Sequence, residues 1–217
     1  MTASGMPEVL LDGLNLRAEI AAAAARLIAE DGADYSTAQR KAARQILGDT
    51  QPPPNFLPDH AQIEAEVRIY QSLFHGNTQP ARLFRLRTLA VDLMEKLAAF
   101  QPYLTGAVLQ GTAGPHDDIH LQLFADSAKE VEIFLLNKNV QIDLSETPHY
   151  KGPRFGMVET VSFLWHKEGV HAQLYERDDQ RGAVKSRANG KLQRADLDSV
   201  RALLISTPHE PSNDSLS

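Results

Sequence analysis

The chain has 217 residues, 42% hydrophobic and 23% charged, enough to bury a core as one extended domain or two small units. It contains no cysteine, which excludes disulfides, thiolate zinc sites and cysteine nucleophiles. A formal net charge of -6 argues against nucleic acid as a partner, and no secretory signal or apolar run near the ~20 residues of a membrane span is visible, so a cytoplasmic protein with no membrane partner is expected.

The alanine-rich stretch Val9 to Glu30 predicts a helix with Leu10, Leu14, Leu16, Ile20, Leu27 and Ile28 on its apolar side. Gly32 stops it. Ser36-Thr37-Ala38-Gln39 has capping-box form and opens a second helix, with Ala42, Ala43, Ile46 and Leu47 inward and Gly48 at its end. Its Arg40, Lys41 and Arg44 read as a solvated face. Asp49 to Pro58, with three consecutive prolines, is a stiff connector. Asp59 caps a third helix carrying the stripe Ile63, Val67, Tyr70 and Phe74. Gly76-Asn77 ends that helix, and a fourth follows with Thr78 as its cap and Pro80 in its first turn. Leu83, Leu86, Ala90, Leu93, Met94 and Leu97 form its buried face. Arg82, Arg85 and Arg87 near its start read as solvated, with an anion contact as the sharper alternative.

The middle of the chain alternates. The apolar run Gly106-Ala107-Val108-Leu109 leads into Gln110-Gly111-Thr112, and Asp118-Ile119-His120-Leu121-Gln122-Leu123-Phe124 follows after a Gly114-Pro115 loop. In a strand, residues two apart share a face, so Ile119, Leu121 and Leu123 point to a core while Asp118, His120 and Gln122 form a polar row. Ser127 caps a helix with Val131, Phe134 and Leu135 inward, and Val140-Gln141-Ile142-Asp143-Leu144 alternates again. After a Gly- and Pro-containing loop, Val158 to Trp165 and Val170 to Tyr175 read as a hairpin turning at Lys167-Glu168-Gly169. Arg177 to Gly190 reads as loop, Asp196 as the cap of a last helix through Val200, Leu203 and Leu204, and His209 to Ser217 as a polar tail. The expected fold class is α+β: a mixed five-stranded sheet with flanking helices, preceded by a helical N-terminal part. The expected divisions are 1–101 helical, 102–206 sheet domain, and 207–217 disordered tail.

The stretch Leu104 to Leu144 resembles the nucleotidyltransferase superfamily, the fold of polymerase-beta-like and minimal nucleotidyltransferases. That family carries Gly-Ser after its first core strand, Asp-hydrophobic-Asp/Glu on the second and a further carboxylate on a later strand. Gly111-Thr112 stands in the first place, Asp118-Ile119-His120 in the second, and Asp143 in the third. The resemblance implies that Gly111 and Thr112 hold the phosphates of a nucleoside triphosphate and that Asp118 and Asp143 are catalytic. Asp118, His120 and Asp143 would bind Mg²⁺ or another divalent cation. It also requires Asp118 and Asp143 on adjacent strands, facing the same way. His120 departs from the pattern, because imidazole is a poor Mg²⁺ ligand and suits Zn²⁺, Mn²⁺ or Fe²⁺ better.

Two functions follow as expectations. One is transfer of a nucleoside monophosphate from a nucleoside triphosphate to an acceptor that the sequence does not name. The other is a degenerate, non-catalytic member binding a nucleotide, a metal ion or a protein partner; a homo-oligomer is left open. A rival metal site through His116, Asp118 and His120, which His149, His166 and His171 could join, lacks a compact ligand signature. No Gly-x-Ser-x-Gly, Walker A or Gly-x-Gly-x-x-Gly sequence occurs, which speaks against elbow-type serine hydrolases, P-loop enzymes and Rossmann enzymes.

Overall fold

The computed structural model describes residues 8–48, 56–76, 78–183, 187–188 and 191–206. They form two compact units: residues up to Gln79 with Gly114–His116, and Pro80–Ala113 with the chain from Asp117 onward. The expected connector at 49–55, the stop at Asn77 and the polar tail lie outside the described residues.

In the first unit, helices α1 (Glu8–Asp31), α2 (Tyr35–Leu47) and α3 (His60–Phe74) bury small and branched residues together: Ile20, Ala24, Ala25, Ala38, Ala42, Ile63 and Val67. Gly32 and Gly48 take the left-handed backbone expected of helix stops. The cap of α2 is Asp34, not Ser36. Its carboxylate accepts from Thr37 N at 2.9 Å, and an extended Asp34 starts the helix two residues earlier. Asp59 caps α3 as expected, in a reciprocal box with Gln62. The buried stripe of α3 runs through Ile63, Val67 and Gln71, while Phe74 is exposed against the Tyr70 ring.

The second unit begins earlier than expected, because α4 (Gln79–Lys96) belongs to the sheet domain. Leu83, Leu86, Ala90, Leu93, Met94 and Leu97 are buried in the same core as the strands. The sheet contains β1 (Tyr103–Thr105), β2 (Ile119–Ala125), β3 (Asp143–Pro148), β4 (Met157–Trp165) and β5 (Glu168–Glu176). Its order is β1-β2-β5-β4-β3, with β2 and β5 parallel and the other neighbours antiparallel. Ile119, Leu121 and Leu123 of β2 join Val170, Ala172 and Leu174 of β5 and Val161 and Phe163 of β4 on the core side. Helix α6 (Ala128–Asn137), capped by Ser127, adds Val131 and Leu135; α8 (Leu197–Ser206), with Asp196 accepting from Ser199 N, adds Val200.

Three local readings change. Gly106 takes φ 69 and turns the chain out of β1, so the apolar run read as a strand is the short helix α5 (Gly106–Gln110). A short apolar run does not by itself separate strand from buried helix. The strand expected at 140–144 starts only at Asp143. Part of the stretch read as loop is helix α7 (Arg177–Ala183), followed by a two-stranded pair, β6 (Arg187–Ala188) and β7 (Lys191–Leu192).

Candidate functional site

Antiparallel and parallel pairing both place directly opposed residues on one sheet face. The register therefore lines up Thr105, His120, His171, Ser162 and Asp143 as one row across all five strands, on the face opposite the core. The next row is Tyr103, Gln122, Gln173, Thr160 and Ser145. That second row is occupied with itself. Gln122 donates to Gln173 at 3.4 Å, Gln173 to Thr147 at 3.0 Å, Tyr175 to Gln173 at 3.0 Å, and the Thr147 and Thr160 hydroxyls bond at 2.8 Å. Beyond it Phe124 and Tyr175 are buried with Tyr103 and Tyr150, and burial pushes the Tyr175 hydroxyl up to about 12.

The His171, Ser162 and Asp143 end of the first row opens instead on a cavity of about 710 Å³ whose walls also include Asp118, Asn139 and Gln141. Asp118 and Asp143 thus share a face, as expected, but they are not on adjacent strands. Asp118 immediately precedes β2 and Asp143 opens β3, with β5 and β4 between them. Three strand spacings amount to roughly 14 Å, too far for one bridging metal cluster. The physical reason is the topology: the chain lays β3 at the sheet edge and returns through the β4–β5 hairpin, so β5 takes the place beside β2. Among the described residues, no group of three or more His, Asp or Glu side chains is arranged to hold a metal ion.

The residue beside His120 is His171, its ring stacked at 5.0 Å. Protein crowding one side of the otherwise exposed His120 holds its pKa below the usual histidine range, with the neighbouring His171 adding to the effect. His171 Nε2 lies 3.0 Å from Asp118 Oδ2, and His171 Nδ1 lies 2.8 Å from Ser162 Oγ. A carboxylate only accepts, so the neutral imidazole donates Nε2–H to Asp118. Nδ1 then accepts the Ser162 hydroxyl proton. Asp118 fits there because residue 169 is glycine: a Cβ at that position would overlap its carboxylate. Gly169→Ala is expected to leave the melting temperature nearly unchanged while pushing Asp118 away. The His171 ring carbon and nitrogen resonances in the NMR spectrum should then shift; unchanged resonances would show that Asp118 does not hold the ring.

Gly111 and Thr112 do not offer a phosphate cradle in this conformation. Both N–H groups donate to the Ala107 carbonyl, at 2.9 and 3.0 Å, and Thr112 is buried. The arginines of α4 all have partners, and Arg82 and Arg87 depart from the solvated reading while Arg85 stays largely exposed. Arg82 and Arg85 reach Glu168 Oε1 at 2.7 and 3.0 Å, and buried Arg87 donates to the Val108 and Leu109 carbonyls. His116 lies in the first unit, where its Cβ faces Gly32; His149 is buried at 3.3 Å from Asp179; His166 is at the hairpin tip.

Ser162 escaped the sequence reading; His171 entered it only as a residue that could join the rival metal site, and Gly169 only as a turn residue. The turn is His166–Lys167, both with positive φ, and not Lys167-Glu168-Gly169. Two left-handed residues make the tight turn whose twist suits a hairpin. Counting outward from that turn pairs Ser162 with His171, a signal available only with the turn correctly placed. Compared with known proteins, the chain matches no protein-family model and no curated protein.

Proposed function

We propose that the chain holds a small ligand in the Asp118–His171 cavity and carries out no metal-dependent nucleotidyl transfer, because the adjacent-strand placement of Asp118 and Asp143 that the likeness to nucleotidyltransferases requires is not met. One observation carries this reading: the residues gathered around Asp118 across the β2–β5 pair are His120 and His171, not carboxylates. Two imidazoles in place of two acids remove the hard oxygen ligands that Mg²⁺ needs. Among the described residues the cavity walls carry Asp118 and Asp143 and no lysine or arginine, which favours an uncharged or cationic ligand over a free triphosphate.

The test rebuilds the missing acids. Wild type is expected to release no pyrophosphate from any nucleoside triphosphate with Mg²⁺ or Mn²⁺. Combining His120→Asp with His171→Asp should create a Mg²⁺ affinity, read by calorimetry, that wild type lacks. Metal-dependent pyrophosphate release by wild type, abolished by Asp118→Ala, would restore the transferase reading and overturn this one.

A further inference from the structure

We propose that Ser162 is a nucleophile, with His171 as its general base and Asp118 as the group that positions the base, and that the site cleaves uncharged carboxylic esters. The proposal uses the cavity described above but does not rest on the likeness to nucleotidyltransferases.

A serine hydroxyl is a weak nucleophile until a base takes its proton, and the base works only if a third group fixes its tautomer. The three contacts needed are all present: Ser162 Oγ to His171 Nδ1 at 2.8 Å, His171 Nε2 to Asp118 Oδ2 at 3.0 Å, and a carboxylate seated over Gly169. The array is built on strands rather than on the strand-to-helix elbow that a Gly-x-Ser-x-Gly sequence marks. The ring is approached through Nδ1 by the serine and through Nε2 by the acid. Ser162 and His171 are directly opposed on adjacent antiparallel strands, so their separation is fixed by the sheet and not by a loop. All three side chains face one cavity, whose volume suits a small organic molecule. Asn139 and Gln141 are among the lining residues, and side-chain amides are of the donor type that stabilises an oxyanion. The carboxylates of Asp118 and Asp143 at those walls favour a neutral acyl substrate over a phosphate or carboxylate ester.

The step balances without a cofactor. Ser162 Oγ bonds to the acyl carbon as its proton passes to His171 Nδ1. The tetrahedral adduct collapses, the C–O bond to the leaving alcohol breaks, and that alcohol takes the proton from Nδ1. Water then attacks the acyl-serine, giving its proton to Nδ1. Collapse releases the carboxylic acid and returns the proton to Ser162.

The experiment uses the full chain with p-nitrophenyl acetate and a fluorophosphonate probe. Mass spectrometry is expected to find the probe on Ser162, and hydrolysis should show a burst of p-nitrophenol. Ser162→Ala should abolish both. His171→Ala should lower kcat/KM by about 100-fold or more, the usual worth of a positioned base, with partial rescue by added imidazole. Melting curves of both variants establish that they are folded. Gly169→Ala should lower kcat with little change in KM. A folded wild type whose Ser162 stays unlabelled, or hydrolysis equal in wild type and Ser162→Ala, would overturn the proposal. The binding reading above would survive that outcome, since it is judged by metal affinity and pyrophosphate release.

Discussion

Replacing Arg87 by alanine is expected to destabilise the sheet domain by roughly 3–5 kcal/mol, one of the two largest effects of any single substitution described. Arg87 is only 6% exposed, and its guanidinium donates to Val108 O at 3.0 Å and Leu109 O at 3.1 Å. Those carbonyls lie near the end of α5, a five-residue helix too short to satisfy them internally. Burial holds the Arg87 pKa below the usual arginine value, but guanidinium stays charged, and hydrogen bonds from a charged donor are worth about 1.5–3 kcal/mol each. Alanine removes both and leaves two carbonyls inside the protein. Lysine should recover only part of the loss, since one ammonium cannot reproduce the fork. Urea denaturation of the three proteins measures the difference; an unchanged midpoint for Arg87→Ala would show that α5 does not depend on this contact.

Leu93→Ala is expected to cost about 2–5 kcal/mol. Leu93 is 1% exposed in the middle of the α4 stripe, packed into the core formed with the strands. It also borders an apolar cavity of about 430 Å³ with Leu97, Phe134 and Leu135. Truncation there removes packing contacts from the buried side of the stripe. Leu93→Met, nearly equal in volume, should cost less than about 1.5 kcal/mol. Both follow from denaturant midpoints at unchanged slope, and a Leu93→Ala midpoint equal to wild type would reject the placement.

The periodic parts of the fold were legible. The α4 stripe and the alternation of Ile119, Leu121 and Leu123 are written in the sequence because each reports a single buried face. Asp59 and Asp196 were legible as caps because their partners are three residues away. What the sequence hid was strand order. Asp143 and His171 are both polar residues on alternating stretches after α6, and local pattern does not say which strand lies beside β2. That is decided by how the β4–β5 hairpin folds back, which in turn depends on a turn misplaced by one residue. The commitment of Arg82 and Arg85 to Glu168 was invisible for the same reason: their partner is more than 80 residues away along the chain.

The two halves of the Ser162–His171–Asp118 array have unequal origins. The serine arm joins residues 9 apart within one hairpin, whereas the aspartate arm joins residues 53 apart across the parallel β2–β5 pair. Closing the longer loop costs about 1.6 kcal/mol more in chain entropy, roughly as much as a single hydrogen bond returns. The aspartate arm is therefore carried by the packing of Ile119, Leu121 and Leu123 against Val170, Ala172 and Leu174, not by its own bond. Chemistry at the open face is thus tethered to cohesion on the opposite one: a substitution that loosens the core under α4 slackens the hold on His171 before it unfolds the chain.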